Sequence, residues 1–248
     1  MLRALSVGLS LLSVAFVAQA AGAQQPLLRS HIRTLQSVSA GVFLMDFRYA
    51  GEVDAPVRFD YSRPAYGLLY MRPSMLATAA FGTQVRDQQE GDLRMFDVSL
   101  TTWRALLAAG LGGGTTRLHM PVVLAASHRR VLLTQPRDEE FNATTLGIGV
   151  GAAVERAFGD RVFFAARVHP LIEFASTTLT DGYGLSYQID GLAECHITGV
   201  LGEYGLSIGY LARYKAWNIN ASGIFEDAVD EIYDYTGFQQ VLTLGVNF

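Results

Sequence analysis

Hydrophobic and polar residues alternate with period two along most of the chain. The segment from Leu146 to Glu155 shows it best: Leu146, Ile148, Val150, Ala152 and Val154 interleave with Gly147, Gly149, Gly151, Ala153 and Glu155. In 204–215, Tyr204, Leu206, Ile208, Tyr210, Ala212 and Tyr214 occupy one face, and the last segment repeats the pattern with Phe238, Gln240, Leu242, Leu244, Val246 and Phe248. Side chains alternate across a strand, so this period predicts β-structure. It predicts ten strands, at about 38–49, 61–72, 75–84, 93–105, 115–128, 142–155, 160–170, 184–198, 204–217 and 235–248. A soluble sheet packed on one face alternates in the same way, and the period alone does not separate the two cases.

The connections separate them, because short and long ones take turns. Short ones fall at Arg72-Pro73-Ser74, near Gly110 to Gly114, at Arg156-Ala157-Phe158-Gly159 and at Gly199-Val200-Leu201-Gly202-Glu203, and long polar ones at 50–60, 84–92, 129–141, 171–183 and 218–234. Even strand number with short turns at one end and long loops at the other is the plan of a closed antiparallel transmembrane β-barrel. The long loops carry runs such as Asp138-Glu139-Glu140 and Phe225-Glu226-Asp227-Ala228-Val229-Asp230-Glu231, predicting an acidic extracellular surface. Beyond Ala23 no apolar stretch is long enough for a membrane-crossing helix.

The N-terminus changes the picture of where such a barrel would reside. Met1-Leu2-Arg3, an apolar run from Ala4 to Ala18 and two A-x-A sites ending at Ala20 and Ala23 form a secretory signal peptide, expected to cover 1–23 and leave 24–248 as one barrel domain. Over the 248 residues, 50% are hydrophobic and 17% charged, which excludes a disordered chain. A net charge of -4 argues against a nucleic-acid partner, and the single Cys195 cannot form an internal disulfide.

The signal peptide and the terminal strand Val241-Leu242-Thr243-Leu244-Gly245-Val246-Asn247-Phe248 together resemble those of the small outer-membrane β-barrel proteins of Gram-negative-type bacteria. The resemblance implies residence in the outer membrane, contact with its lipid and lipopolysaccharide, and insertion by the barrel-assembly machinery. In it Leu242, Leu244, Val246 and Phe248 act as the assembly signal. It implies nothing specific about activity.

Candidate chemistry lies on the polar faces. With apolar faces toward lipid, a lumen charge network is expected from Asp46, Arg48, Asp97, Arg117, His119, Glu155, Arg161, Arg167, His169, Glu194, His196, Arg213 and Lys215, joined by Ser99, Thr101 and Asp190. Strand direction puts Arg117, Glu155, Arg161, Glu194 and His196 near the periplasmic end and Arg48, Asp97, Arg167, His169, Arg213 and Lys215 nearer the middle or outer end. Ten strands enclose a lumen little wider than one that side chains fill. An occluding ion-pair network and a narrow polar path or ligand pocket both fit such a list. His128, Arg129 and Arg130 at an outer strand end suit lipopolysaccharide phosphates. Tyr66, Tyr70, Trp103, Tyr204, Tyr210, Tyr214, Trp217 and Phe248 are candidates for interfacial aromatic girdles, although strict alternation turns Trp103 inward.

No enzymatic constellation emerges. Omptin proteases would need an Asp-x-Asp pair and an Asp-x-His pair at the outer rim, against which the chain offers Glu194-Cys195-His196 at the other end. Barrel-embedded lipid A deacylases would need a lipid-facing His-x-Ser, against which it offers His196-Ile197-Thr198. Five scattered His and one Cys do not make a metal site, and no cofactor motif is present. The sequence reading is therefore a non-enzymatic outer-membrane barrel, with a narrow channel or small-ligand transporter as the alternative.

Overall fold

The computed structural model describes residues 35–51, 58–86, 91–111, 115–134, 139–177, 183–219 and 234–248. The signal-peptide and cleavage-site expectations, and most of the acidic loop runs, lie outside them. Eleven strands form one antiparallel sheet: β1 Ser37–Tyr49, β2 Pro64–Arg72, β3 Met75–Gln84, β4 Asp92–Leu111, β5 Thr116–Thr134, β6 Glu139–Val150, β7 Ala152–Phe158, β8 Val162–Ser176, β9 Tyr183–Leu201, β10 Tyr204–Ile219 and β11 Tyr235–Asn247.

Consecutive strands pair, except that β6 and β7 each pair with β5 and β8, and β1 pairs with both β2 and β11, so the sheet closes on itself. Two reciprocal backbone bonds between Gln36 and Phe248 extend this seam. The strands β6 and β7 are two parts of one stave. They separate at Gly151, whose N–H bonds to the Pro121 carbonyl while Pro121 has no N–H to return. Pro170 stands at the same level on β8, so the ladder is short of donors on both sides of Gly149–Gly151. Inward and outward positions keep their alternation through the break. The expected ten strands are ten staves, one of them interrupted.

Register fixes the dimensions. Stepping between paired residues from Ser37 through Met71, Leu76, Thr101, Ala125, Gly147, Glu173, Ser186, Trp217 and Tyr235 leads back to β1 at Tyr49, twelve residues along from the start. Ten staves with that stagger tilt by about 40° and enclose a barrel of about 10 Å radius, given the usual strand spacing and rise. Outside, exposed aliphatic and aromatic residues form a belt: Val42, Leu44, Phe96, Leu100, Leu124, Ile148, Ile172 and Leu244 all face out. On β4 the belt is bounded by the outward-facing Arg94 and Arg104. Ten residues at that tilt span about 25 Å along the axis, the height of the apolar band of a transmembrane barrel.

Both β5 and β8 run further toward the long-loop end than the pattern had suggested, to Thr134 and Ser176. At the opposite end the turns are tight. Gly202, between β9 and β10, adopts φ +66°, which a Cβ would disfavour.

Candidate functional site: the barrel lumen

The inward faces divide the lumen into two halves of different construction. Toward the long loops, an aromatic cluster spans the bore. Phe47 stacks on Tyr235 at 4.5 Å and meets Trp217 edge-on at 5.4 Å, and Phe141 packs 4.9 Å from Phe47. Phe59 and Tyr61, just beyond β1, are buried with them. Rings of this size bury large apolar areas.

Beneath the rings lie three ion pairs with direct contacts. Arg129 Nε donates to Asp97 Oδ2 at 2.7 Å, with its guanidinium over Trp217 (4.8 Å) and Phe47 (5.3 Å). Arg213 holds Asp190 with two bonds, Nε to Oδ1 at 2.7 Å and Nη2 to Oδ2 at 2.9 Å, and its Nη1 donates to Ser99 Oγ at 2.9 Å. Ser99 in turn bonds Thr78, which ties β10 and β9 across the lumen to β4 and β3. Lys215 Nζ lies 2.6 Å from Glu173 Oε2 and donates to Ser127 Oγ (2.7 Å) and Thr145 Oγ1 (2.6 Å). Two of the ammonium's three donors are thus taken by hydroxyls, and its charge is matched by Glu173. Pairing at such distances offsets much of the cost of burying the charge.

Toward the short turns the charges stand apart. Arg117 Nη1 is 3.6 Å from Glu155 Oε2, His119 Nε2 is 3.9 Å from Glu155 Oε1, and Arg167 Nη2 is 3.9 Å from Glu194 Oε2. All are beyond hydrogen-bond distance. Arg167 lies over the Trp103 ring at 4.5 Å, and His169 is 5.6 Å from that ring. His196 is buried beside Glu194 on β9.

Of the residues expected in the lumen, Asp97, His119, Glu155, Arg167, His169, Glu194, His196, Arg213 and Lys215 face inward and are buried, with Arg117 half-buried at the short-turn mouth. Four placements differ. Asp46 and Arg48 face outward and pair with each other at 2.6 Å, because they sit on the same side of β1 as Val42 and Leu44 but above the apolar belt. Arg161 is exposed in the turn between β7 and β8, where its carbonyl accepts from Thr198. Arg129 does not reach the surface. The extension of β5 keeps it on the inner side with Ser127 and Val131, and only His128 and Arg130 of that trio face out. Arg167 and His169, expected nearer the middle or outer end, stand near the middle of β8, with Arg167 facing Glu194 of β9.

Two of the girdle aromatics, Trp103 and Trp217, are also inward, whereas Tyr66, Tyr204, Tyr210, Tyr214 and Phe248 are outward. Glu173 was missed because the strand had been ended at 170. The alternation of outward Ile172 and Phe174 with Glu173 carries on past that point and was the available signal. Gln188 and Gln239, buried at the same depth, were passed over as uncharged.

No family model matches the chain, and no curated protein matches it. Among solved structures it is similar to Ail, the attachment invasion locus protein of Yersinia pestis. The complex of Ail with the heparin analogue sucrose octasulfate matches at 9% identity over 86% of this chain and 98% of that one, with a TM-score of 0.28. A second Ail structure matches at 9% over 87% and 99%, with a TM-score of 0.22. What the barrel does has to be read from its own residues.

Proposed function

We propose that the protein is a non-enzymatic outer-membrane barrel whose lumen is closed and which acts through its long-loop surface. The observation that carries this reading is the lumen half nearest those loops, where aromatic rings pack across the bore onto closely paired charges. The apolar belt and ring closure support a position in the bilayer. The outward row Leu242, Leu244, Val246 and Phe248 supports recognition by the barrel-assembly machinery. Of the basic trio, His128 and Arg130 remain available to lipopolysaccharide; His128 Nδ1 bonds Thr144 Oγ1 at 3.0 Å and Arg130 pairs with Glu140. In this reading the acidic runs at 138–140 and 225–231, of which Glu139 and Glu140 are among the described residues, serve contact with external partners. Glu194 and His196, the nearest approach to a hydrolytic pair, are enclosed at the short-turn end, far from the rim where a surface substrate would arrive.

Two measurements test the reading together. Protein from outer-membrane fractions should run as a compact band that shifts on boiling, and the same protein in planar bilayers should give no stepwise conductance. Steady single-channel openings would replace the closed barrel with the narrow-channel alternative.

A further inference from the structure

We propose that the short-turn half of the lumen is a blind binding site for a small oxyanion, a carboxylate or phosphate, held by Arg167. The inference rests on the sealed upper half and not on any role of the loops.

Three arginines lie deep in this lumen at similar burial, Arg129 at 3%, Arg213 at 3% and Arg167 at 6% exposed. Two of them have carboxylates at 2.7–2.9 Å. Arg167 has no such partner. Its Nε and Nη1 bond to nothing among the described residues, and its Nη2 comes no nearer to Glu194 than 3.9 Å. The acceptor the chain brings nearest, Glu194 Oε2, is itself unpartnered and beyond hydrogen-bond distance, so a group that normally commits its five donors is left with Nε and Nη1 open.

The surroundings define the missing group. The Arg167 Cζ lies 4.5 Å from the centre of the Trp103 ring, close enough for cation–π attraction to help hold the guanidinium in place. A planar fork held in that way suits the two oxygens of a carboxylate or phosphate, whereas a single chloride or a water satisfies it less completely. His119 Nδ1, His169 Nε2 and His196 Nδ1 are likewise buried and unpartnered, and each carries an N–H into the same chamber in one of its two tautomers. Glu155 and Glu194 each have an arginine, Arg117 or Arg167, within 3.9 Å that offsets their charge, although Oε2 of each accepts no hydrogen bond. Among the described residues no group of three or more His, Cys, Asp and Glu is arranged to hold a metal ion.

Entry is from one side. Above Arg167 the lumen is blocked by the Arg213–Asp190–Ser99 bridge, and below it the half-exposed Arg117 marks the mouth. A ligand would therefore enter and leave at the short-turn end without crossing.

The test is calorimetric titration of the heat-modifiable barrel in detergent with sodium acetate and, separately, inorganic phosphate, against sodium chloride at matched ionic strength. The expected result is saturable binding of one anion per barrel, weakened about tenfold or more in Arg167→Lys, which keeps the charge and loses the fork. The acetate and phosphate arms identify which oxyanion is preferred. Absence of saturable binding of either anion to the wild-type barrel would overturn the proposal and leave a chamber filled by water alone. So would affinity unchanged in Arg167→Lys. Should that variant not assemble, His196→Asn, which changes a donor of the chamber without touching Arg167, should still weaken binding, and an unchanged affinity there would count equally against the site.

Discussion

Replacing Lys215 by methionine isolates the cost of one buried charge. The methionine side chain is unbranched and of similar length, so the cavity it leaves is small. Ser127 and Thr145, which lose an ammonium donor, already bond one another at 2.8 Å and remain satisfied. The penalty therefore falls on Glu173, which is 1% exposed and would keep its carboxylate with no cation in contact. Removing one partner of a buried pair costs about 3–5 kcal/mol, a shift of two to nearly four decades in the unfolding equilibrium constant. Adding Glu173→Gln removes the stranded charge, and the double variant should recover to within about 1–2 kcal/mol of wild type. Urea unfolding in detergent, followed by tryptophan fluorescence and by the fraction of heat-modifiable band, measures all three proteins. A single variant costing less than about 1 kcal/mol would refute the claim that this charge is tightly enclosed. A double variant no better than the single would refute the assignment of the cost to Glu173.

Three further outcomes follow from the geometry. Arg130→Ala should weaken binding to lipopolysaccharide micelles, while Arg129→Met should leave it unchanged and instead lower the urea midpoint, since Arg129 is spent on Asp97 inside the barrel. Gly147→Ala should destabilise by about 1–3 kcal/mol in the same urea assay, because the new Cβ would clash with Glu173 Cγ, a part of the side chain that the Lys215 contact holds in place. Deleting Phe248 removes both backbone bonds to Gln36 at the seam, and pulse-chase labelling should show slower appearance of the compact band.

Strand number, connection lengths and most inward positions were legible because period two is imposed by lipid outside and polar lumen inside over the whole length of each stave. Reading failed where the polarity contrast fades. At the top of β1, Asp46 and Arg48 look like lumen residues, yet they stand above the belt, where an outward charge meets headgroups and water. At the top of β5, His128-Arg129-Arg130 reads as a loop of bases, although alternation through Ser127, Arg129 and Val131 continues. Which charges pair was not legible at all. Asp190 and Arg213 face each other in register between β9 and β10, but the bond from Arg213 to Ser99 crosses the bore and depends on a stagger that no local pattern encodes. The difference between a bonded half and an unbonded half of the lumen is of the same kind, visible only when all ten staves are in place.

The pairing of β1 with β11 has a kinetic meaning. Every other hydrogen-bonded neighbour is close along the chain, but this seam joins residues as far apart as Ser37 and Asn247. Until β11 has been made, the growing sheet carries two raw edges, β1 and whichever strand was finished last, and each invites pairing with the wrong chain. Bringing such distant segments together is slow and is paid in loop-closure entropy before any contact rewards it. A polypeptide built to this topology must therefore be kept from folding while it is synthesised and carried, and its final step is a single all-or-none sealing event rather than a stepwise accretion of hairpins.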